Sequence, residues 1–251
     1  MAEVQTPEAT LRVFRGDREE GKTVDYRVPL VPGMVVLDAL HWIQAHPAPD
    51  FAVRWNCKAG KCGSCSAEVN GRPRLTCKTR MDALPLDQPI TVLPMKAFPV
   101  IKDLVTDVSW NFKVNRKIPP FQPRPGVAWK MYQRDIDRVQ EFRKCIECFL
   151  CQNVCHVLRE HGKQEEFGGP RFFVRTASLE MHPLDGVSRT RILKDELGLG
   201  LCNITKCCTE VCPEDIHITD NAIIPLKERV VDEYYDPLLM LVRKIRSAGR
   251  A

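Results

Sequence analysis

No stretch of this 251-residue chain approaches the ~18–20 consecutive apolar residues that a membrane span requires. The most apolar late segment, Pro237-Leu-Leu-Met-Leu-Val242, is short and runs into Arg243 and Lys244. It reads as an amphipathic terminal helix docked on a core or a partner, so any work at a membrane requires other chains to hold this one there. A strong excess of one sign of charge is also lacking. A net charge of +5 is too weak a bias to argue for nucleic acid. No Gly-rich phosphate loop, catalytic triad or acid/base carboxylate pair stands out, so no substrate chemistry is expected within the chain itself. Met1–Thr10 has neither the basic start and apolar run of a secretory signal nor the Arg/Ser-rich character of a transit peptide. An oxidising compartment, and with it a disulfide framework, is therefore not expected. Hydrophobic residues at 44% exclude disorder by composition and supply a core, and the length suits two domains.

What the chain has in excess is cysteine: twelve residues in three groups. Cys57, Cys62, Cys65 and Cys77 fall at C-x4-C-x2-C-x11-C. Cys145, Cys148, Cys151 and Cys155 fall at C-x2-C-x2-C-x3-C. Cys202, Cys207, Cys208 and Cys212 close with Cys212-Pro213. The first spacing is that of a plant-type [2Fe–2S] site and the second that of a bacterial two-cluster ferredoxin. Structural zinc usually takes pairs of CxxC separated by a longer gap, whereas these ligands come in runs of three and four. Three clusters in one chain make a wire, which implies an electron donor at one end and an acceptor at the other.

In two-cluster ferredoxins the fourth Cys of each run ligates the other cluster. Cys145, Cys148 and Cys151 are then closed by Cys212, and Cys155 belongs with the third group. Counted back from Cys212, the same frame puts ligands at 202, 205 and 208, and position 205 is Thr. Cys155, Cys202 and Cys208 are thus three thiolates where a cubane takes four, which fits a [3Fe–4S] cluster with a hydroxyl at the open corner. Less thiolate charge makes reduction easier, so this cluster is expected to have the higher potential. Cys207 either supplies the missing thiolate or is a buried, inert thiol; its adjacency to Cys208 favours the second, because both reaching one cluster would strain the turn. Arg54, Lys58 and Lys61 surround the first group, where they offset cluster charge or guide docking, or are simply surface residues. His156 and His161 lie near a cluster in sequence and read as ordinary surface or core histidines.

The fold class expected is α+β. Thr10–Arg15 and Thr23–Leu30 read as strands and Met34–Ala45 as a helix ending before Pro47. Ser66–Val69 and Pro73–Cys77 flank the hairpin signal Asn70-Gly71, and Ile90–Leu93 is a last strand. Strands, helix, cysteine loop and strands suit a β-grasp ferredoxin domain over residues 1–110. Val100–Val114 looks helical and is followed by a Pro-rich connector, Ile118–Pro125. Residues 111–251, with helices at Arg134–Phe142 and Leu226–Tyr235 and few strand signals, read as an all-α two-cluster ferredoxin-like domain.

Cys57-Lys-Ala-Gly-Lys-Cys62-Gly-Ser-Cys65, Arg72-Pro-Arg-Leu-Thr-Cys77, Pro99-Val-Ile-Lys-Asp-Leu-Val105, the order of the cysteine groups and Cys212-Pro213 together resemble the iron–sulfur subunit of succinate dehydrogenase and fumarate reductase. The resemblance spans nearly the whole chain. It implies a flavoprotein partner whose FAD oxidises succinate, and electrons passing through [2Fe–2S], [4Fe–4S] and [3Fe–4S] clusters to quinone at a transmembrane anchor. It places the chain on the cytoplasmic face of a bacterial cell membrane and leaves open the reverse role in a fumarate reductase or a related flavoenzyme. Two departures stand out. The cubane run ends Cys155-His156 rather than Cys-Pro, and Arg159, Glu160 and Asn203 stand where ubiquinone-reducing members present a Trp pair and a His. Menaquinone, or a quinone site wholly within the anchor, is therefore the expected acceptor.

Overall fold

A computed structural model describes residues 7–248, with side chains described as far as Val242; residues 1–6 of the N-terminal stretch and the last three residues lie outside it. The chain forms two compact units. The first comprises residues 1–110, 146–154 and 211–214; the second comprises 111–145, 155–210 and 215–251.

In the first unit, β1 (Glu8–Gly16) pairs antiparallel with β2 (Gly21–Pro29). Ala9, Leu11 and Val13 point inward while Arg12, between them, pairs with Asp25 at 2.8 Å, the two-residue alternation of a half-buried strand. β3 (Ser66–Val69) and β4 (Arg72–Leu75) form a hairpin whose turn residues, Asn70 and Gly71, have φ of 48° and 71°. Two consecutive left-handed residues match the right-handed twist of the strands, which is why Asn-Gly serves here. β5 (Ile90–Leu93) runs parallel to β1 and antiparallel to β3, giving the order β2-β1-β5-β3-β4. Helix α1 (Val36–Ala45) covers the sheet with Val36, Ala39, Leu40 and Ile43. Full burial of Leu40 and Ile43 stabilises by about 1.5–3 kcal/mol each. Asp38 accepts the Val35 N–H at 3.2 Å, satisfying a donor at the helix start.

The helix expected over Val100–Val114 is corrected in its first half. That stretch is a short hairpin, β6 (Val100–Lys102) with β7 (Val105–Thr106), and the helix α2 begins later (Ser109–Lys117). Asp103 decides it. Its backbone is left-handed, φ 50°, and its buried carboxylate accepts from Arg15 Nε (3.0 Å), Gly16 N (3.0 Å) and Ala52 N (2.8 Å). A buried carboxylate without those donors is costly, so tertiary hydrogen bonds override the local periodicity. A short helix α4 (Leu150–Val154) also belongs to this unit. Asn153 ties it down, donating to Glu68 at 2.9 Å and accepting the Ala97 N–H at 2.9 Å.

The second unit is helical: α3 (Gln133–Gln140), α5 (His156–Arg159), α6 (Pro170–Glu180), α7 (Thr190–Asp195), α8 (Cys207–Glu210), α9 (Ile224–Tyr234) and α10 (Pro237–Ala248). A π-helical turn, Ile218–Ile223, leads into α9. Phe167, Phe172, Phe173, Leu193, Ile223 and Leu226 are fully or almost fully buried. The Pro-rich connector is pinned, not loose. Arg189, fully buried, donates to Pro119 O (3.0 Å), Pro120 O (2.9 Å), Val187 O (2.8 Å) and the Asp185 carboxylate (2.8 Å). One guanidinium thus holds the connector through its backbone carbonyls. Arg189→Met leaves Asp185 buried without its partner and is expected to cost about 3–5 kcal/mol. Urea unfolding is the check, and an unchanged midpoint contradicts this role.

Candidate metal centres

The first cysteine loop turns on left-handed residues: Lys58, Gly60 and Gly63 have φ of 54°, 67° and 69°. The turn aims backbone donors inward. Ala59 N and Lys61 N donate to Cys57 Sγ at 3.4 and 3.3 Å. Those two N–H groups, Ala59 first, with Cys62 beside them, draw the Cys57 thiol down to about 6. Cys77 behaves oppositely: burial, then Cys65 alongside it, pushes its thiol up to about 11. The charge of Cys57 adds to the rise at Cys77. The four cysteines have the spacing of a plant-type two-iron site. The three basic residues of the loop are all engaged within the chain. Arg54 donates to Thr106 O at 3.3 Å, Lys58 lies over the Trp55 ring at 5.0 Å, and Lys61 is 3.6 Å from Glu214.

Gly63 has a second function. A Cβ built there would lie 2.6 Å from Cys148 Cα and 2.9 Å from Cys148 N, so the two cysteine segments meet backbone to backbone. The Ser66 hydroxyl lies within hydrogen-bond distance of both Gly63 O (2.9 Å) and Cys148 O (2.8 Å). Cys65, Cys77 and Cys148 share one apolar cluster with Leu37, Leu75 and Leu150.

The later cysteine runs repeat one loop geometry. In the run Cys145–Cys151, Glu147 and Phe149 are left-handed, with φ of 57° and 60°; in the run Cys202–Cys208, Ile204 and Lys206 are left-handed, with φ of 61° and 63°. These are the same two positions of the C-x2-C-x2-C frame. Non-glycine residues in this region cost about 1–2 kcal/mol each, so four of them in matched places mark a required shape. Thr205 therefore stands where the first run has Cys148. Cys148 and Cys151 are buried and Cys212 is partly buried, all three in the first unit; Cys145 is the residue preceding Ile146, where the chain enters that unit.

In the second unit, burial pushes the Cys155 thiol to about 11 and the Cys208 thiol to about 12, and in each case the charges of Cys207 and Cys202 add to the effect. Thr219 Oγ1 lies 3.5 Å from Cys208 Sγ and opposes that rise. Buried thiols of this kind stay protonated unless a metal takes them as thiolates. None of the twelve cysteines is in a disulfide. Cys207 is partly exposed, which corrects the expectation that it is buried.

Comparison with known proteins gives the same two modules. Residues 10–113 match a 2Fe-2S iron-sulfur cluster binding domain, and residues 141–216 match a 4Fe-4S dicluster domain. The fumarate reductase iron–sulfur subunit of Mycobacterium tuberculosis is 32% identical, covering 81% of this chain and 84% of that one. The succinate dehydrogenase iron–sulfur subunit of Bacillus subtilis is 30% identical, covering 78% and 81%. This chain belongs to the succinate dehydrogenase and fumarate reductase iron–sulfur subunit family.

A chain of the Mycobacterium smegmatis Sdh1 complex in the apo form is 60% identical with a TM-score of 0.89, covering 92% of this chain and 99% of that one. An uncharacterised iron–sulfur protein of Methanococcus maripaludis is 30% identical, and this chain spans only 45% of its length. Family membership gives the chain an N-terminal [2Fe–2S] domain and a C-terminal [4Fe–4S] dicluster domain in an α+β fold. The donors present fit such groups: thiols at cluster spacing, left-handed turns around them and backbone N–H groups aimed at sulfur. Reading the chain alone missed the Gly63–Cys148 contact, the Thr219 hydroxyl beside Cys208 and the exposure of Cys207, none of which has a sequence signature.

Gly63→Ala forces a backbone clash that cannot relax through a side chain, whereas Gly60→Ala meets only the movable Lys78 side chain. Both lose a favoured left-handed glycine, worth about 1 kcal/mol or more. Gly63→Ala is expected to lower [2Fe–2S] content and melting temperature well beyond Gly60→Ala. Equal iron content and melting temperature in the two variants contradicts the close approach.

Proposed function

We propose that this chain is the electron-transfer subunit of a succinate dehydrogenase. It takes electrons from the FAD of a flavoprotein subunit and delivers them to quinone at a membrane anchor by way of [2Fe–2S], [4Fe–4S] and [3Fe–4S] clusters. The observation that carries this reading is the likeness to the Sdh1 chain, 60% identical and covering 99% of that chain's length. Residues 1–110 and 111–251 are the two cluster-binding domains. Cys57, Cys62, Cys65 and Cys77 hold the [2Fe–2S] cluster. Spacing assigns Cys145, Cys148, Cys151 and Cys212 to the [4Fe–4S] cluster, and Cys155, Cys202 and Cys208 to the [3Fe–4S] cluster. Bound there, the clusters supply one-electron chemistry, and this lets a two-electron oxidation at flavin be passed on singly.

The chain's own residues tune and protect those centres. Ala59 and Lys61 N–H groups stabilise negative sulfur at Cys57, and burial keeps water from Cys155 and Cys208. Thr205 places a neutral hydroxyl in the frame position of Cys148, which favours a three-iron centre with an easier reduction. Where ubiquinone-type members have a Trp pair, Arg159 donates to Glu160 at 3.0 Å. An ion pair in place of two indoles supports menaquinone, or a quinone site within the anchor.

Among the described residues no helix is long and apolar enough to cross a membrane. Helix α10 supports docking to an anchor: Leu238, Leu239, Met240, Leu241 and Val242 are all at least 38% exposed, and Arg243 and Lys244 follow them in sequence. Five consecutive apolar residues, all exposed and spanning more than one helical turn, form an apolar surface that suits an apolar neighbour. That neighbour is a transmembrane anchor on the cytoplasmic face of the membrane. The same chain serves a fumarate reductase when partner and quinone reverse the flow, a reading favoured by the 32% identity to the Mycobacterium tuberculosis fumarate reductase subunit.

Cys65→Ser is expected to abolish the [2Fe–2S] signal in low-temperature EPR and to leave the other two centres intact; their loss would count against independent sites. The purified chain alone is expected to show no succinate oxidation with an artificial electron acceptor, and activity should require the flavoprotein subunit. Turnover by the pure chain contradicts a subunit that only relays electrons.

A further inference from the structure

The third centre has a fourth sulfur that the frame does not assign. In the first of the two matched loops, the position between the two left-handed residues is Cys148; in the second it is Thr205. Thr205 Oγ1 therefore marks where the frame places a fourth ligand. Cys207 Sγ lies 3.3 Å from that oxygen. Its counterpart in the first loop is Leu150, which is buried in an apolar cluster. Cys207 is instead partly exposed. Independently, residues 141–216 match a domain with two four-iron clusters, where the frame alone leaves the second one a thiolate short.

We propose that Cys207 is a conditional fourth ligand, which lets the three-iron centre take up a ferrous ion and become a cubane. The proposal rests on the reading that Cys155, Cys202 and Cys208 hold a three-iron cluster. The step is a ligation and moves no electrons. The reduced three-iron core, of zero net charge, accepts Fe(II) at its open corner through three of its own sulfides. The Cys207 thiol releases its proton to water and binds that iron as a thiolate, giving a [4Fe–4S] core of charge 2+. Thr205 is too short and too weakly acidic to serve as that ligand, and its contact with Cys207 holds the sulfur at the corner. Because the added thiolate changes the charge around the cluster, iron supply and redox state would set the potential of the terminal centre, and with it electron delivery to quinone.

The test uses the full chain, purified anaerobically, as wild type and as Cys207→Ser. Each is reduced with dithionite, incubated with ferrous ammonium sulfate, desalted, gently reoxidised and examined by low-temperature EPR. Oxidised three-iron clusters are paramagnetic, and oxidised cubanes of the ordinary kind are silent. The expected result is that wild type loses most of its three-iron signal after iron is added, while Cys207→Ser keeps it. A wild type that lacks the signal from the start, with Cys207→Ser showing it, equally supports the proposal. A three-iron signal that survives iron addition equally in both proteins overturns it and leaves the three-ligand reading standing. A full complement of iron and sulfide with no three-iron signal in either protein overturns the three-ligand reading and the proposal together. The reduced [2Fe–2S] signal in both proteins serves as the control for folding.

Discussion

The cysteine loops must turn tightly enough to bring several sulfurs to one centre while keeping their charge tolerable, and the rest of the structure depends on that requirement. The turn is made by left-handed residues: two glycines and Lys58 in the first loop, and Glu147, Phe149, Ile204 and Lys206 in the later two. The charge is met locally by N–H groups that the same turns aim at sulfur, as at Cys57. Both effects come from one backbone choice. A left-handed residue reverses the chain and exposes consecutive amide groups on the concave side, which is the geometry that binds negative charge. The strain is held by packing: Gly63 against Cys148, the apolar cluster around Cys65, Cys77 and Cys148, and Asn153 between Glu68 and Ala97.

Much of the first unit was legible in the sequence. Alternating apolar residues mark β1 and β2, Asn70-Gly71 marks a hairpin and Ile90–Leu93 is a strand, because in each case the local pattern and the tertiary burial agree. Where they disagree, the reading failed. Val100–Val114 has helical spacing, but Asp103 is bound by Arg15, Gly16 and Ala52, residues 51 to 88 positions away in sequence. The connector at 118–125 looked like a linker because its proline content says nothing about what its carbonyls accept. Arg189 supplies those donors from 69 and 70 positions away. Division into compact units likewise follows contacts that composition does not carry: residues 146–154 and 211–214 join the first unit although they lie within the second half of the chain.

The candidate site divides along the same line. Cysteine spacing is a property of the sequence itself, so the three groups and the odd Thr205 can be read directly. The matched left-handed pairs at 147 and 149 and at 204 and 206 show why that frame is meaningful: Thr205 occupies the same backbone position as Cys148. Exposure is not recorded in spacing. Adjacency to Cys208 argues in sequence for a buried, inert Cys207, yet successive residues at a helix start point in different directions, and Cys208 is buried while Cys207 is partly exposed.

The account's central claim is that the cysteines hold three iron–sulfur clusters that carry electrons singly. The most direct measurement is an anaerobic potentiometric titration of the purified full chain, followed by low-temperature EPR and paired with assays of iron, zinc and acid-labile sulfide. The account predicts about nine iron atoms and about ten acid-labile sulfides per chain, about ten of each where the third centre has gained an iron, and three separate one-electron transitions, one from each cluster. Zinc without acid-labile sulfide, or fewer than three transitions at full iron loading, would contradict it.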